Sequence, residues 1–517
     1  MLLAGCTYAA FAASPRPNVL LILADDLGYG DVQCYNPERG KIPTPNIDRL
    51  ARQGMRFTDA HSSGVCSPTR YTLLTGRYHW RSRLQAGIVT YLERPLIAPD
   101  RLTVAGLLKR GGYRTAAVGK WHLGWEWNIA PEERDLFAPA RNAVPPTTEA
   151  HRAAWSRVYR ERIAGGPTTR GFDSYFGTDV PNWPPYAFIE NDRTVGIPSE
   201  FLPAHDFRNN RAGLPGPALP GWELEAVLPA ITDRACAILR QAAETPFFLY
   251  VALTAPHTPI VPNQTWKGRS GLNAYADFVM ATDDAVGRLL AALEASGAAD
   301  QTLVIFTSDN GCAKLVGLKE LNNKGHYPSG PLRGYKSDAF EGGHRVPFIV
   351  RWPKVVSPAS QCDQLVHLAD LFATFADAAG LAVPESAGED SFSLLPLFRD
   401  PLRSARTHAV SNSTGGVPAL RSGPWKIIFG PDAGDGVRSP QRRGQLYHLD
   451  RDLGETANLW AREHARVASL TRMMEQIVDD GRSTPGARCP NDVPVLWRRF
   501  LSEASTPSSP QTPNDEN

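Results

Sequence analysis

The chain has 517 residues, 42% hydrophobic and 21% charged, proportions that exclude a disordered or collagen-like chain and leave room for one large domain with a smaller companion. Its 55 basic and 53 acidic residues give a formal net charge of +2. No global basic field therefore argues for nucleic acid or an anionic membrane as partner, and any anion site must be local.

In chain order, the opening MLLAGCTYAAFAA is apolar and rich in small residues, with A-F-A at Ala10 to Ala12 in the pattern of a signal-peptidase site. The same stretch holds L-A-G-C ending at Cys6, the pattern of a bacterial lipoprotein box, although a positive n-region is missing. Residues 1–17 are therefore expected to be an export signal or lipoprotein-type leader. The protein is expected to be periplasmic or extracellular, with a lipid anchor at Cys6 as its one route to a membrane. No later segment approaches the ~20 apolar residues of a membrane-spanning helix. Apart from Cys6 and Cys66, the cysteines (Cys34, Cys236, Cys312, Cys362 and Cys489) are too widely spaced to suggest zinc or a dense disulfide framework, leaving either one bridge or buried free thiols.

Asn18 to Ala24, NVLLILA, is a continuous apolar run that fits a strand buried on both faces. Pro246 to Leu253 and Thr302 to Thr307 have the same character. Helical patterns such as TVAGLLKRGG and YADFVMATDDAVGRLLAALEASG lie between them, so the alternation predicts an α/β fold with a largely parallel sheet sandwiched by helices. Polar residues follow each run: Asp25-Asp26, His257, and Asp309-Asn310. Ligands of open α/β sheets bind at the carboxyl ends of strands, so three distant segments are expected to converge on one site.

From Trp125 to Gly221 a Pro-, Trp- and Arg-rich stretch without sustained periodicity predicts a long loop insertion over the site, in which Trp183, Tyr186 and the many arginines are candidates for gripping a ligand. Beyond a turn-rich segment near Leu397 to Arg406, ALRSGPWKIIF, GQLYHLD and the helical run from Ala461 to Asp479 predict a smaller C-terminal α+β subdomain over 403–501, after a catalytic domain over 18–402. The polar tail 502–517 is expected to be disordered.

Asp25, Asp26, Asp309 and Asn310 offer hard oxygen ligands suited to calcium or magnesium. Carboxylates gathered at one site repel and call for a cation. The segment VCSPTRYTLLTGR, Val65 to Arg77, contains C-x-P-x-R followed by L-L-T-G-R. It resembles the signature of the formylglycine sulfatases, a family with the alkaline-phosphatase-like α/β/α sandwich. GYRTAAVGKWHLG from Gly112, APHTP around His257, SDNG from Ser308, LRGYKSDAFEGGHRVPFI with Lys336, and LYHLDRDLGETANL resemble the family's remaining blocks, from about Asn18 to Leu459.

The resemblance implies that a maturation enzyme oxidises Cys66 to formylglycine, hydrated to a diol that joins the metal ligands Asp25, Asp26, Asp309 and Asn310. One hydroxyl then attacks sulfur to give a covalent sulfoenzyme. Lys120 and Lys336 would neutralise the sulfate and Arg70, one helical turn from Cys66, would hold the hydroxyls. His257, with Lys336, would protonate the leaving oxygen, and His122 would help expel sulfate. The expected substrate is a sulfate ester, on a sulfated carbohydrate or an aryl group. A phosphate or phosphonate monoester hydrolase and a non-catalytic sulfated-glycan binder are the rival readings.

Overall fold

A computed structural model describes residues 16–137, 147–207, 212–241, 245–430 and 444–502. The candidate leader with Cys6, apart from its last two residues, and the tail from 503 lie outside the described residues. Ten strands form the main sheet: β1 (Asn18–Ala24), β2 (Met55–Phe57), β3 (Arg114–Lys120), β4 (Ser174–Thr178), β5 (Ile189–Glu190), β6 (Arg193–Thr194), β7 (Phe247–Ala252), β8 (Thr302–Ser308), β9 (Phe348–Arg351) and β10 (Ser360–Cys362). Their order is β10-β2-β9-β8-β1-β7-β3-β4-β5-β6. The five strands from β8 to β4 run parallel, and antiparallel pairs flank them on both sides.

Every residue of β1 is buried, which is why Val19 to Ala24 are unbroken hydrophobic rather than alternating. Val19, Leu21 and Leu23 enter one core with helices α2 (Cys66–Thr75), α3 (Val104–Arg110) and α6 (Leu371–Ala378). Leu20, Ile22 and Ala24 enter the other with α1 (Pro45–Gln53), α4 (Val227–Arg240) and α5 (Ala274–Ala295). Successive side chains of a strand point to opposite faces, so this division defines an α/β/α sandwich. The 22-residue α5 begins at Asn273, whose side chain accepts a hydrogen bond from the Ala276 amide. It packs on both α1 and α4. Truncating its buried Leu289 or Leu293 would cost about 2–5 kcal/mol.

The stretch 125–221, read from sequence as loops, also holds a ten-residue helix, Glu149–Val158, and strand β4, which extends the main sheet. Five residues, SYFGT, are too few to raise a period-two signal above that background. A separate antiparallel sheet follows, with β11 (His408–Asn412), β12 (Pro418–Ser422), β13 (Trp425–Ile428) and β14 (Gln445–His448) in sequential order. Helix α7 (His464–Asp479) covers it, burying Leu470, Met474 and Ile477 against Leu420, Ile427 and Leu446. Tyr78 and Trp80, just beyond α2, share this core, and the Arg406 guanidinium donates to Tyr78 Oη at 2.9 Å. The six described cysteines are all free thiols. Among the described residues no helix is long and apolar enough to cross a membrane.

Candidate active site

Strands β8, β1, β7 and β3 are neighbours, so the residues just past their carboxyl ends are brought together. The ladder runs beyond the strands themselves: the Asp309 amide donates to Ala24 O and the Asp25 amide to Ala255 O, both at 3.1 Å. Asp26 then turns sharply in the left-handed region, at φ 66°. Its amide donates to Asp309 Oδ1 at 3.1 Å, and Asn310 Nδ2 donates to Asp26 Oδ1 at 2.8 Å. His122 also has positive φ, 54°. Such backbone costs about 1–3 kcal/mol per residue and persists where surrounding contacts impose it.

Helix α2 starts at Cys66, after an extended Val65, and stops at Gly76 in the left-handed conformation that glycine adopts without penalty. Pro68 lies in its first turn, where a missing N–H costs nothing. Thr69 Oγ1 donates to Asp309 O at 2.7 Å. One turn after Cys66, Arg70 Nη2 lies 3.0 Å from Asp309 Oδ2 and 3.6 Å from Asp25 Oδ2, while its Nη1 donates to Lys120 O at 3.1 Å. Lys120 Nζ is 2.7 Å from Asp25 Oδ2, and Lys336 Nζ is 2.6 Å from Asp26 Oδ1. His257 Nε2 lies 3.8 Å from Asp26 Oδ2. Cys66, Asp25, Asp26 and His257 each offer a ligand atom within 4.8 Å of the others.

His122 sits to one side. Its amide donates to Asp179 Oδ1 at 3.1 Å, Nε2 meets Val89 O at 3.1 Å, and its ring stands edge-on to Trp183 with centroids 5.3 Å apart. Nδ1 is buried with no hydrogen-bond partner among the described residues. Tyr186, by contrast, is buried and donates to Leu214 O, so it is core rather than a sugar platform. The expected metal ligands, lysines, Arg70 and His257 are all in this cluster, whereas Arg157, Arg162 and Arg170 of the insertion are tied to Glu133, Asp192 and Ile97 O.

Burial raises the Asp25 carboxyl, but Lys120, His257 and Arg70 outweigh it and hold the group well below its ordinary range. Burial and then the nearby Asp25 charge push Asp309 up to about 7. Burial, Lys120 and Arg70 depress His122 well below the usual histidine range, leaving its imidazole uncharged at neutral pH. Asp25 Oδ1 and Asn310 Oδ1 are buried without hydrogen-bond partners among the described residues, a cost of about 1–3 kcal/mol each unless something else satisfies them. Four oxygen-bearing side chains, two of them with an unsatisfied oxygen, fit a hard divalent cation.

Asp179 escaped the sequence reading although it follows β4 directly, as the other site residues follow their strands. Burial lifts its carboxyl to about 6. Tyr250 on β7, whose hydroxyl lies 3.5 Å from Arg70 Nη1, left no signal, because a buried strand tyrosine reads as core.

Three cationic side chains, a buried carboxylate cluster and a cysteine at a helix start, all on the carboxyl edge of a parallel sheet, define an enzyme that acts on an anionic ester. A family model described as Sulfatase matches residues 17–381. An N-acetylgalactosamine-6-O-sulfatase of Bacteroides thetaiotaomicron is 32% identical over 493 residues, covering 90% of this chain and 93% of the relative. Human arylsulfatase A is 32% identical over 470 residues, covering 87% and 85%. A solved structure from work on glycosaminoglycan metabolism by Bacteroides thetaiotaomicron superposes with a TM-score of 0.76 at 29% identity, covering 90% of this chain and 99% of that one. Another, solved in complex with a neocarrahexaose, gives 0.64 at 26% identity, covering 92% and 95%. The chain belongs to the sulfatase family, and it is a sulfuric ester hydrolase with the alkaline-phosphatase-like fold.

Proposed function

We propose that this sulfatase hydrolyses sulfate monoesters of carbohydrates, and simple aryl sulfates as well, through a formylglycine matured from Cys66. The observation that carries the reading is the placement of Cys66 at the first turn of α2, with its sulfur among Asp25, Asp26 and His257. A formylglycine at this position would supply an oxygen nucleophile for attack on sulfur. A calcium ion held by Asp25, Asp26, Asp309 and Asn310 would supply Lewis acidity, and magnesium suits the same oxygens.

This chain's residues do the rest. Lys120 and Lys336, already paired to Asp25 and Asp26, neutralise the sulfate oxygens. Arg70 holds the Asp25 and Asp309 carboxylates beside the start of α2. His257 protonates the departing oxygen with help from Lys336. His122, kept uncharged, is fit to accept a proton at Nδ1 during sulfate release. Relatives named for N-acetylgalactosamine 6-sulfate, and the structure holding a neocarrahexaose, support a sulfated glycan as substrate. Residues 18–402 would form the catalytic body and 403–501 its companion, exported behind the leader.

Matched 4-nitrophenyl sulfate and phosphate, with N-acetylgalactosamine 6-sulfate and other sulfated mono- and disaccharides, test the reading. Sulfate release with formylglycine at position 66 by peptide mass is expected. Faster phosphate turnover would refute the reaction assigned, and aryl activity with no sugar turned over would refute the carbohydrate preference.

A further inference from the structure

Where the C-terminal sheet meets the segment after Lys336, the fold buries a second set of ionisable side chains that the chemistry above does not use. Lys426, on β13, is fully buried. Its Nζ lies 3.0 Å from Glu341 Oε1, 2.8 Å from Glu455 Oε1 and 3.2 Å from His344 Nε2. His344 Nδ1 meets His61 Nδ1 at 3.0 Å, so one proton serves both, and His61 Nε2 meets Asp59 Oδ1 at 2.8 Å. His61, Glu341 and His344 have the spacing of metal ligands. The cation that Glu341 and His344 face, however, is the ammonium of Lys426.

A buried network of this kind stabilises little more than apolar side chains of the same volume would, because desolvation offsets most of the attraction. Its surroundings suggest another use. Glu341–His344 is a single helical turn. Gly343 O accepts from the amide of Gly311, the residue after Asp309-Asn310, at 3.0 Å. His344 O accepts from the Ser62 amide, shortly before Cys66, at 2.7 Å. Ser337, next to Lys336, is held at φ 82°, with its amide donating to Gly64 O at 3.3 Å and its carbonyl accepting from Thr414 N, beyond β11, at 2.9 Å. Three active-site segments thus abut this turn or its immediate flank. The Glu455 carboxylate accepts from the Glu341 amide at 2.7 Å while also binding Lys426, which ties the turn to the C-terminal sheet.

We propose that Lys426 and Glu455 are positioning residues for sulfate-ester hydrolysis: they pin the Glu341–His344 turn and thereby orient Lys336 toward the leaving oxygen. The inference rests on the role given to Lys336 above. It makes the C-terminal sheet part of the catalytic apparatus, although no side chain of that sheet is assigned to the reaction.

The test is the dependence of kcat on leaving group across aryl sulfates from 4-nitrophenyl to phenyl, in full-length enzyme normalised for formylglycine content by peptide mass. Lys336→Ala, Lys426→Met and the triple Lys426→Met/Glu341→Gln/Glu455→Gln are compared with wild type. The triple removes the buried ammonium together with both carboxylates that face it, and Arg345, which loses Glu341 Oε2, keeps Asp59 Oδ1 at 3.2 Å, so it keeps the test alive if Lys426→Met fails to fold. All three are expected to lose at least about tenfold more rate on phenyl sulfate than on 4-nitrophenyl sulfate, with KM changed far less than kcat. A uniform loss, or none, in the Lys426 variants beside a steepened Lys336→Ala would overturn the positioning role alone. An unsteepened Lys336→Ala would overturn the role of Lys336, and the inference with it.

Discussion

Arg70 Nη2 lies 3.0 Å from Asp309 Oδ2, with both side chains completely shielded from solvent. The guanidinium also faces Asp25, so it neutralises two carboxylates that would otherwise repel across the start of α2. Arg70→Ala is therefore expected to lower stability by about 3–5 kcal/mol, measured by urea denaturation. Arg70→Lys should retain part of that stability while losing the forked geometry.

Changing residue 66 separates chemistry from folding. Cys66→Ala should abolish sulfate release while the folded state persists, because a small buried thiol is replaced by a small apolar group. His257→Ala should lower kcat by about 10²–10⁴-fold, most strongly for poor leaving groups. Sulfate release and thermal melting of the same samples check both.

Chelation should inactivate the enzyme and lower Tm, and calcium added back should restore both. A ligand at 100-fold its Kd stabilises the native state by about 2.7 kcal/mol. Asp309→Asn should weaken calcium binding measured by calorimetry, whatever its effect on turnover.

His79 is buried, and burial alone lowers its pKa from 6.5 to about 3. In the unfolded chain it binds a proton below pH 6.5, whereas in the native state it stays neutral until about pH 3. Stability is thus intact above 6.5 and falls as pH drops through this window, by about 1.4 kcal/mol per pH unit at full effect. His79→Gln should flatten the acid limb of denaturation free energy by one proton.

Trp183 stands against His122 and is only half-buried. Trp183→Ala should raise KM for sulfated disaccharides several-fold more than for 4-nitrophenyl sulfate. Tyr186→Phe should leave both unchanged and cost about 1 kcal/mol of stability for the lost bond to Leu214 O.

Much of the site was legible because strand-end chemistry is local. A strand buried on both faces must be largely apolar, so the runs Asn18 to Ala24 and Thr302 to Thr307 stand out, and the polar residues beyond them mark the sheet edge where ligands bind. The spacing from Cys66 to Arg70 places the guanidinium one turn along the same helix face. Strand β4 and Asp179 were hidden because five residues in a Pro-rich stretch carry too little periodicity. Tyr186 looked like a surface aromatic because burial of a lone tyrosine depends on what packs over it.

Local order in the chain, then, determined the α/β alternation, the carboxylates that follow the strands and the place of Cys66 at a helix start, since these depend on residue type and on spacing within a few turns or strands. Only the tertiary structure decided that Lys120 meets Asp25, that Lys336 meets Asp26, and that Lys426 closes on Glu341 from 85 residues further along. Such pairings are set by sheet order and by the docking of a second sheet, and no short-range pattern encodes which distant charge will lie within three ångströms of another.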